Sequence, residues 1–320
     1  MIPDTSFFHL LAVPMPVTLG VVNVYLIPSD DGLLLIDTGT SDDGAFHVLT
    51  QKLSALGHTV ADIRRVLVTH YHPDHCGLAM RLQQAGAHIW MSRKDADVLV
   101  EYFANPQADV DRAQFFGRHP MPQKLSQRIG TMARLLRDLH AEFVPDALFD
   151  DGDMLGWGGI SLEVVDTPGH TPGHVAFVSR EHRVLFVGDH LLADQVAMLS
   201  AQDISPDTDA LTQMFASLAL MDRFVGFSGA AGHGPLIEDV AMRAQQTAGF
   251  HRARLQKVCD ALLDEPQTAL ALSVRAFGEK RSAYSQWLSM TSAVSLLEYL
   301  HINQSAQRLT ASDGSYLYRR

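Results

Sequence analysis

Cysteine is almost missing from this chain: among 320 residues only Cys76 and Cys259 carry a thiol. Such a pair builds no disulfide framework and fits a reducing compartment. Basic charge is also scarce, with 25 Lys/Arg against 36 Asp/Glu and a formal net charge of −11. A surface of that sign repels phosphates at long range, which argues against a generic nucleic-acid binder. No apolar run approaches the roughly 18 residues of a membrane span, so no membrane partner is expected. The short apolar patch from Phe7 to Val13 lacks a basic flank and a small-residue cleavage site, so it does not read as a signal peptide. A cytoplasmic location follows as the expectation. Internal repeats, low-complexity tracts and long Gly/Ser linkers are absent too.

What is present is histidine, 16 in all, in a chain that is 47% hydrophobic and 19% charged. That balance fits a globular enzyme with room for one large domain and a small one. The histidines concentrate at Val66-Leu67-Val68-Thr69-His70-Tyr71-His72-Pro73-Asp74-His75. An apolar strand delivers this string, and i, i+2 residues share one side of a strand. His70 and His72 can therefore point at one spot. Pro73 turns the chain, and Asp74 and His75 face the same region from the start of a helix expected over His75 to Gln84. Ligand-type side chains packed around one turn suit a two-metal centre. Cys76, beside them, reads as a small packing residue.

Strands are expected at Phe8–Val13, Val21–Ile27, Leu33–Ile36, Ile63–Val68, His88–Met91, Ile160–Val165, Val175–Ser179, Arg183–Val187 and Phe224–Ser228. Helices are expected at Ala45–Leu56 and Asp207–Met221. The alternation indicates a layered α/β domain. Asp37 ends a buried strand before Gly39. It can accept the free N–H of a ligating histidine and so orient the ring, or it can be a turn-stabilising Asx residue. His170 follows Pro168 and Gly169 on a rigid turn. Gly188-Asp189 offers a strand-end carboxylate able to bridge two metals, and Gly232-His233-Gly234-Pro235 a further histidine.

Residues 94–147 form a helical insertion, with Arg128–His140 as one helix. It carries Tyr102, Phe103, Phe115 and Phe116, which either line a substrate pocket as a lid or build a small core of their own. From residue 236 the pattern changes to helices over Glu238–Leu263, Thr268–Phe277 and Ser285–Tyr299. A hairpin then turns at Asp313-Gly314. This tail reads as a winged-helix-like domain, 236–320, after a catalytic domain, 1–235. Residues 240–320 hold ten Lys/Arg and six Asp/Glu, so a packing or homodimer role is favoured but a nucleic-acid role stays open.

With Thr69 to His75, Thr167-Pro168-Gly169-His170, Gly188-Asp189, Gly232 to Pro235 and Asp37-Thr38-Gly39 in place, the chain resembles the metallo-β-lactamase-fold hydrolase superfamily over about residues 8–235. The branches it is similar to include β-lactamase-like protein 2 and glyoxalase II-like hydrolases. The resemblance implies an α/β, four-layer αβ/βα sandwich with the metals at one edge. It implies that His70, His72 and His170 hold one metal, Asp74, His75 and His233 the other, and that Asp189 bridges them. His174 braces its loop instead of ligating. The cofactor implied is a pair of zinc ions, with iron or manganese as alternatives. The activity implied is hydrolysis of a small ester, thioester or lactone by a metal-bridging hydroxide that Asp74 orients. An endoribonuclease is the alternative, ahead of a β-lactamase or a non-catalytic nucleic-acid binder. Asp189 stands where β-lactamases of this fold carry Cys or Ser, and His72 where flavodiiron oxidoreductases carry Glu. Gly234-Pro235 departs from the downstream basic residues of glutathione thioesterases.

Overall fold

The computed structural model describes residues 4–16, 20–104, 117–199 and 209–320. Phe115 and Phe116 lie outside the described residues. Two sheets face each other. The first has the order β1 (His9–Pro14), β2 (Val21–Ser29), β3 (Gly32–Ile36), β4 (Ile63–Leu67), β5 (His88–Ser92) and β6 (Ala147–Phe149). It is antiparallel through β3 and parallel beyond. The second runs β11 (Ser228–Ala231), β10 (Val184–Gly188), β9 (Val175–Ser179), β8 (Ile160–Asp166) and β7 (Met154–Trp157).

The continuous apolar runs are explained by burial on both faces, because alternate residues of one strand enter different cores. Leu34 and Ile36 point between the sheets, while Leu33 and Leu35 pack outward. Val184 and Phe186 point between the sheets, while Leu185 and Val187 pack outward on the other side. The outer core of the first sheet is closed by helices α1 (Asp43–Ala55), α2 (Pro73–Cys76), α3 (Ala79–Gln84) and α4 (Arg93–Ala104). Helix α5 (Gln123–Asp138) is the second described helix of the insertion. The outer core of the second sheet is closed by α6 (Ala210–Leu220), α7 (Val240–Ala261), α8 (Ala269–Phe277) and α9 (Ala283–Ile302). The layers are therefore helix, sheet, sheet, helix: a four-layer α/β sandwich. No helix among the described residues is long and apolar enough to cross a membrane.

The tail ends in a hairpin, β12 (Gln307–Thr310) and β13 (Tyr316–Arg319). Val294, Leu297, Tyr316 and Tyr318 share one apolar cluster with Leu185 and Val187 of the second sheet. Buried Glu298 anchors the hairpin by pairing with Arg308 and accepting from the Tyr318 hydroxyl. The insertion is tied to the same hairpin, since Tyr316 donates its N–H to the Arg118 carbonyl at 2.6 Å.

Several elements differ from expectation. Phe224–Ser228 is not a strand: Met221–Phe224 is a 3₁₀ turn and the strand starts at Ser228. Met221 and Phe224 both bury in the outer core, and Gly226 at φ 71° turns the chain. The expected His75–Gln84 helix begins earlier, with Pro73 in its first turn, and breaks after Cys76. There the Asp37–Ser41 turn presses in, and Leu78 donates to the Gly39 carbonyl at 3.0 Å instead of continuing the helix. A Cβ on Gly77 would lie 2.6 Å from the Ser41 nitrogen, so glycine is required for this approach. Strands β6 and β7 were not anticipated. Gly158 and Gly159, both at positive φ, form the two-residue loop between β7 and β8, the composition a tight hairpin demands.

Candidate metal centre

The site lies at one edge of the sandwich, where the chain leaves β4, β8, β10 and β11. β4 ends at Leu67, so His70 and His72 stand on the following turn and not on a strand. The turn nevertheless brings them together, with His70 Nε2 and His72 Nδ1 3.0 Å apart. His170 Nε2 is also 3.0 Å from His72 Nδ1. Asp74, His75 and His233 form a second group, and His70, His75 and Asp189 a third overlapping one. Asp189 spans the cluster. Its Oδ1 is 3.5 Å from His75 Nε2, and its Oδ2 is 3.6 Å from His170 Nε2 and 3.5 Å from His233 Nε2. His233 Nε2 is 3.2 Å from Asp74 Oδ2.

The outward nitrogens explain why the inward ones converge. His75 Nδ1 donates to Asp37 Oδ2 at 2.8 Å, and His170 Nδ1 to the Met198 carbonyl at 2.7 Å. His233 Nδ1 donates to the Val21 carbonyl at 2.7 Å. His70 Nδ1 lies 3.1 Å from the Thr69 hydroxyl, which itself donates to Asp37. Each of these rings has a proton fixed on the outer nitrogen, so the inward nitrogen is the one left to give a lone pair to a cation. Several lone pairs and two carboxylates then share one space. His75 Nε2 and Asp189 Oδ1 are buried without a hydrogen-bond partner. Such a donor set fits a cation.

Burial pushes His70 and His72 well below the ordinary imidazole range. Burial acts the same way on His75, but Asp74, Asp37 and Asp189 outweigh it and raise that ring to about 9. At His233 burial is likewise outweighed, chiefly by Asp189, and the ring rises to about 12. Burial would raise the Asp189 carboxyl, yet His233 and His75 hold it well below the usual carboxylate range. Asp74 and Asp189 thus draw positive charge to their half of the cluster; without a cation His75 and His233 carry it as protons on their inward nitrogens, which a metal would displace.

Asp37 sits in a left-handed conformation at φ 61° and is 2% exposed. It receives Thr69 N–H at 2.8 Å as well as His75. His174 is buried. Its Nε2 accepts from the Asp189 N–H at 3.1 Å, and its Nδ1 lies 2.7 Å from the Thr167 hydroxyl. It holds the Asp189 backbone and stands behind the inward cluster. Cys76 is buried and donates to the Tyr71 carbonyl. Tyr102 is buried, with its ring 5.2 Å from His140, and Phe103 packs on the outer core of the first sheet. His140 stacks on Tyr71, whose ring is 4.9 Å from His72. Both aromatics therefore stand a layer behind the metal-facing surface.

Other contributors were not anticipated. Asn23 Nδ2 donates to the Ala231 and Gly234 carbonyls at 3.0 and 2.8 Å, and the Tyr25 hydroxyl to Ala231 at 2.6 Å. These bonds lock the His233 loop to β2. An apolar strand gives no sign of such a task. Tyr25→Phe is expected to cost about 1 kcal/mol, the net worth of one hydrogen bond, because the Ala231 carbonyl keeps Asn23. Chemical denaturation of the metal-free protein measures it.

The family model described as the metallo-beta-lactamase superfamily matches residues 17–224. The chain belongs to that superfamily and is a metal-dependent hydrolase. It is 33% identical over 180 residues to hydroxyacylglutathione hydrolase GloC of Haemophilus influenzae, covering 55% of this chain and 70% of that one. It is 25% identical over 288 residues to the probable metallo-hydrolase YqjP of Bacillus subtilis, covering 83% and 84%. Among solved structures, a metallo-beta-lactamase family protein from Thermus thermophilus superposes with a TM-score of 0.84 at 28% identity, covering 98% of each chain.

Proposed function

We propose that the chain is a dinuclear zinc hydrolase of small acyl substrates, with an acyl thioester as the favoured class and esters or lactones beside it. The observation that carries this reading is the set of imidazoles whose outer nitrogens are bound to oxygen while their inner nitrogens converge on two carboxylates. His70, His72 and His170 would hold one ion, Asp74, His75 and His233 the other, and Asp189 both. Imidazole and carboxylate suit zinc, and also iron or manganese. When bound, such ions supply Lewis acidity, lowering the pKa of water and stabilising negative charge on an acyl oxygen.

The protein's own groups supply orientation and proton handling. Asp74 has a side chain 20% exposed, against 2% for Asp37 and 11% for Asp189, so it is the carboxylate a substrate water can reach. It is placed to orient that water and pass its proton towards the leaving group. A thiol, with a pKa of about 8.5, leaves without a strong acid behind it. The likeness to a protein named as a hydroxyacylglutathione hydrolase supports the thioester class. The partner is then a small molecule entering beside Tyr71 and His140, with Tyr102 and Phe103 supporting that wall.

The test is a hydrolysis screen of acyl thioesters, lactones, β-lactams and RNA with protein of known metal content. Thioester turnover that is lost on chelation and restored by zinc is the expected result. Metal-dependent RNA cleavage without acyl hydrolysis would replace this reading with an endoribonuclease.

A further inference from the structure

Helix α4 opens with a carboxylate that reaches beyond its own helix. Ser92 caps it, its Oγ accepting from Asp95 N at 3.2 Å. An acid three residues after such a cap ordinarily reaches back to the cap's N–H. Fully buried Asp95 reaches into other loops. Its Oδ2 accepts from the Tyr71 N–H at 3.0 Å and from the Thr171 hydroxyl at 2.8 Å. Its Oδ1 accepts from the Gly173 N–H at 2.7 Å, while Ser92 Oγ donates to the Gly173 carbonyl at 2.6 Å. Gly173 is seated so closely that a Cβ would lie 2.6 Å from both Asp95 Oδ1 and Ser92 Oγ.

Tyr71 stands between His70 and His72, and Thr171 directly follows His170. One carboxylate thus binds the two loops that supply the three-imidazole group. We propose that Asp95 is a positioning residue for that group, fixing the separation of His72 and His170 before a metal enters. Asp37 does the matching work at His75. This inference rests on the dinuclear reading above.

The experiment compares wild type, Asp95→Asn and Thr171→Val by metal-free zinc titration against a competing chelator, by the cobalt absorbance spectrum, by thermal melting and by kinetics. Asn keeps the volume of Asp95 but turns a donor towards at least one of the N–H or O–H groups that it holds. Asp95→Asn is expected to lower the affinity of one metal equivalent about 10–100-fold, the range for groups that orient ligands, and to leave the other unchanged. The cobalt spectrum should change at that one equivalent, and kcat should fall with KM moving by less than about threefold. Thr171→Val should act in the same direction but less, and the double variant should show less than the sum. Wild-type affinity at both equivalents in Asp95→Asn, even with a lower melting temperature, would overturn the proposal. Equal loss at both equivalents in Asp95→Asn and Thr171→Val would overturn it too. Wild-type protein that takes up fewer than two equivalents would sink the dinuclear reading itself, and the proposal with it.

Discussion

Asp189→Ala is expected to leave about one metal or less per chain and to lower kcat/KM by about a hundredfold to a thousandfold, the scale of losing one preorganised charge-stabilising group. The reason is that among the described residues this carboxylate alone spans the cluster, with one oxygen on the His75 side and the other facing both His170 and His233. Its placement is not adjustable. The Asp189 N–H is held by His174, and Gly188, at φ 47°, lies so close that a Cβ would approach His174 Nε2 and Thr69 Oγ1 to 2.8 Å. On the far side, a Cβ on Gly232 would lie 2.4 Å from Asp189 Oδ1. Asp189→Asn keeps the shape and drops the charge. It should retain more metal than Ala but remain far below wild type. Metal quantification beside steady-state kinetics decides, and full occupancy with full activity in Asp189→Ala would refute the bridging role.

The parts of this site that could be read from sequence share one property: each is written in contiguous residues at the end of an apolar run. His70 to His75, Thr167 to His170, Gly188-Asp189 and Gly232-His233 all follow strands, with Gly or Pro forcing the turn. The double burial of strands such as Leu33–Ile36 also makes the sandwich readable, since only sheets covered on both faces need such runs. What could not be read depends on distant contacts. Asp95 looks like part of a helix cap until Tyr71, Thr171 and Gly173 are brought to it. The break after Cys76 comes from the Asp37–Ser41 turn, which no local pattern announces. Phe224–Ser228 has strand composition, yet the outer core takes Phe224 and Gly226 turns the chain. The Gly158-Gly159 loop did carry a local signal, and it marks a hairpin whose first strand is only four residues long.

Asp37 is expected to separate folding from metal binding when two substitutions are compared. Its carboxylate holds Thr69 N–H, the Thr69 hydroxyl and His75 Nδ1–H in a buried place. Ala removes every acceptor and puts a Cβ-bearing residue without a polar side chain at φ 61°. The cost is about 3–5 kcal/mol, the range for stripping one partner from a buried hydrogen-bonded charge pair. Asn tolerates that backbone region and can still accept from Thr69, so its melting temperature should fall much less. Its amide, however, then points an N–H at His75 Nδ1–H. Two donors cannot face each other, so the His75 proton moves to Nε2, the nitrogen that lies 3.5 Å from Asp189. The lone pair needed for a metal is lost although every ligand remains in the chain. Metal affinity at that half of the cluster should drop about 10–100-fold, and the imidazole nitrogen shifts of His75 should report the exchanged tautomer. If Asp37→Asn bound metal as wild type with His75 still protonated at Nδ1, the carboxylate would be a fold anchor alone, and the orienting role given to it here would be wrong.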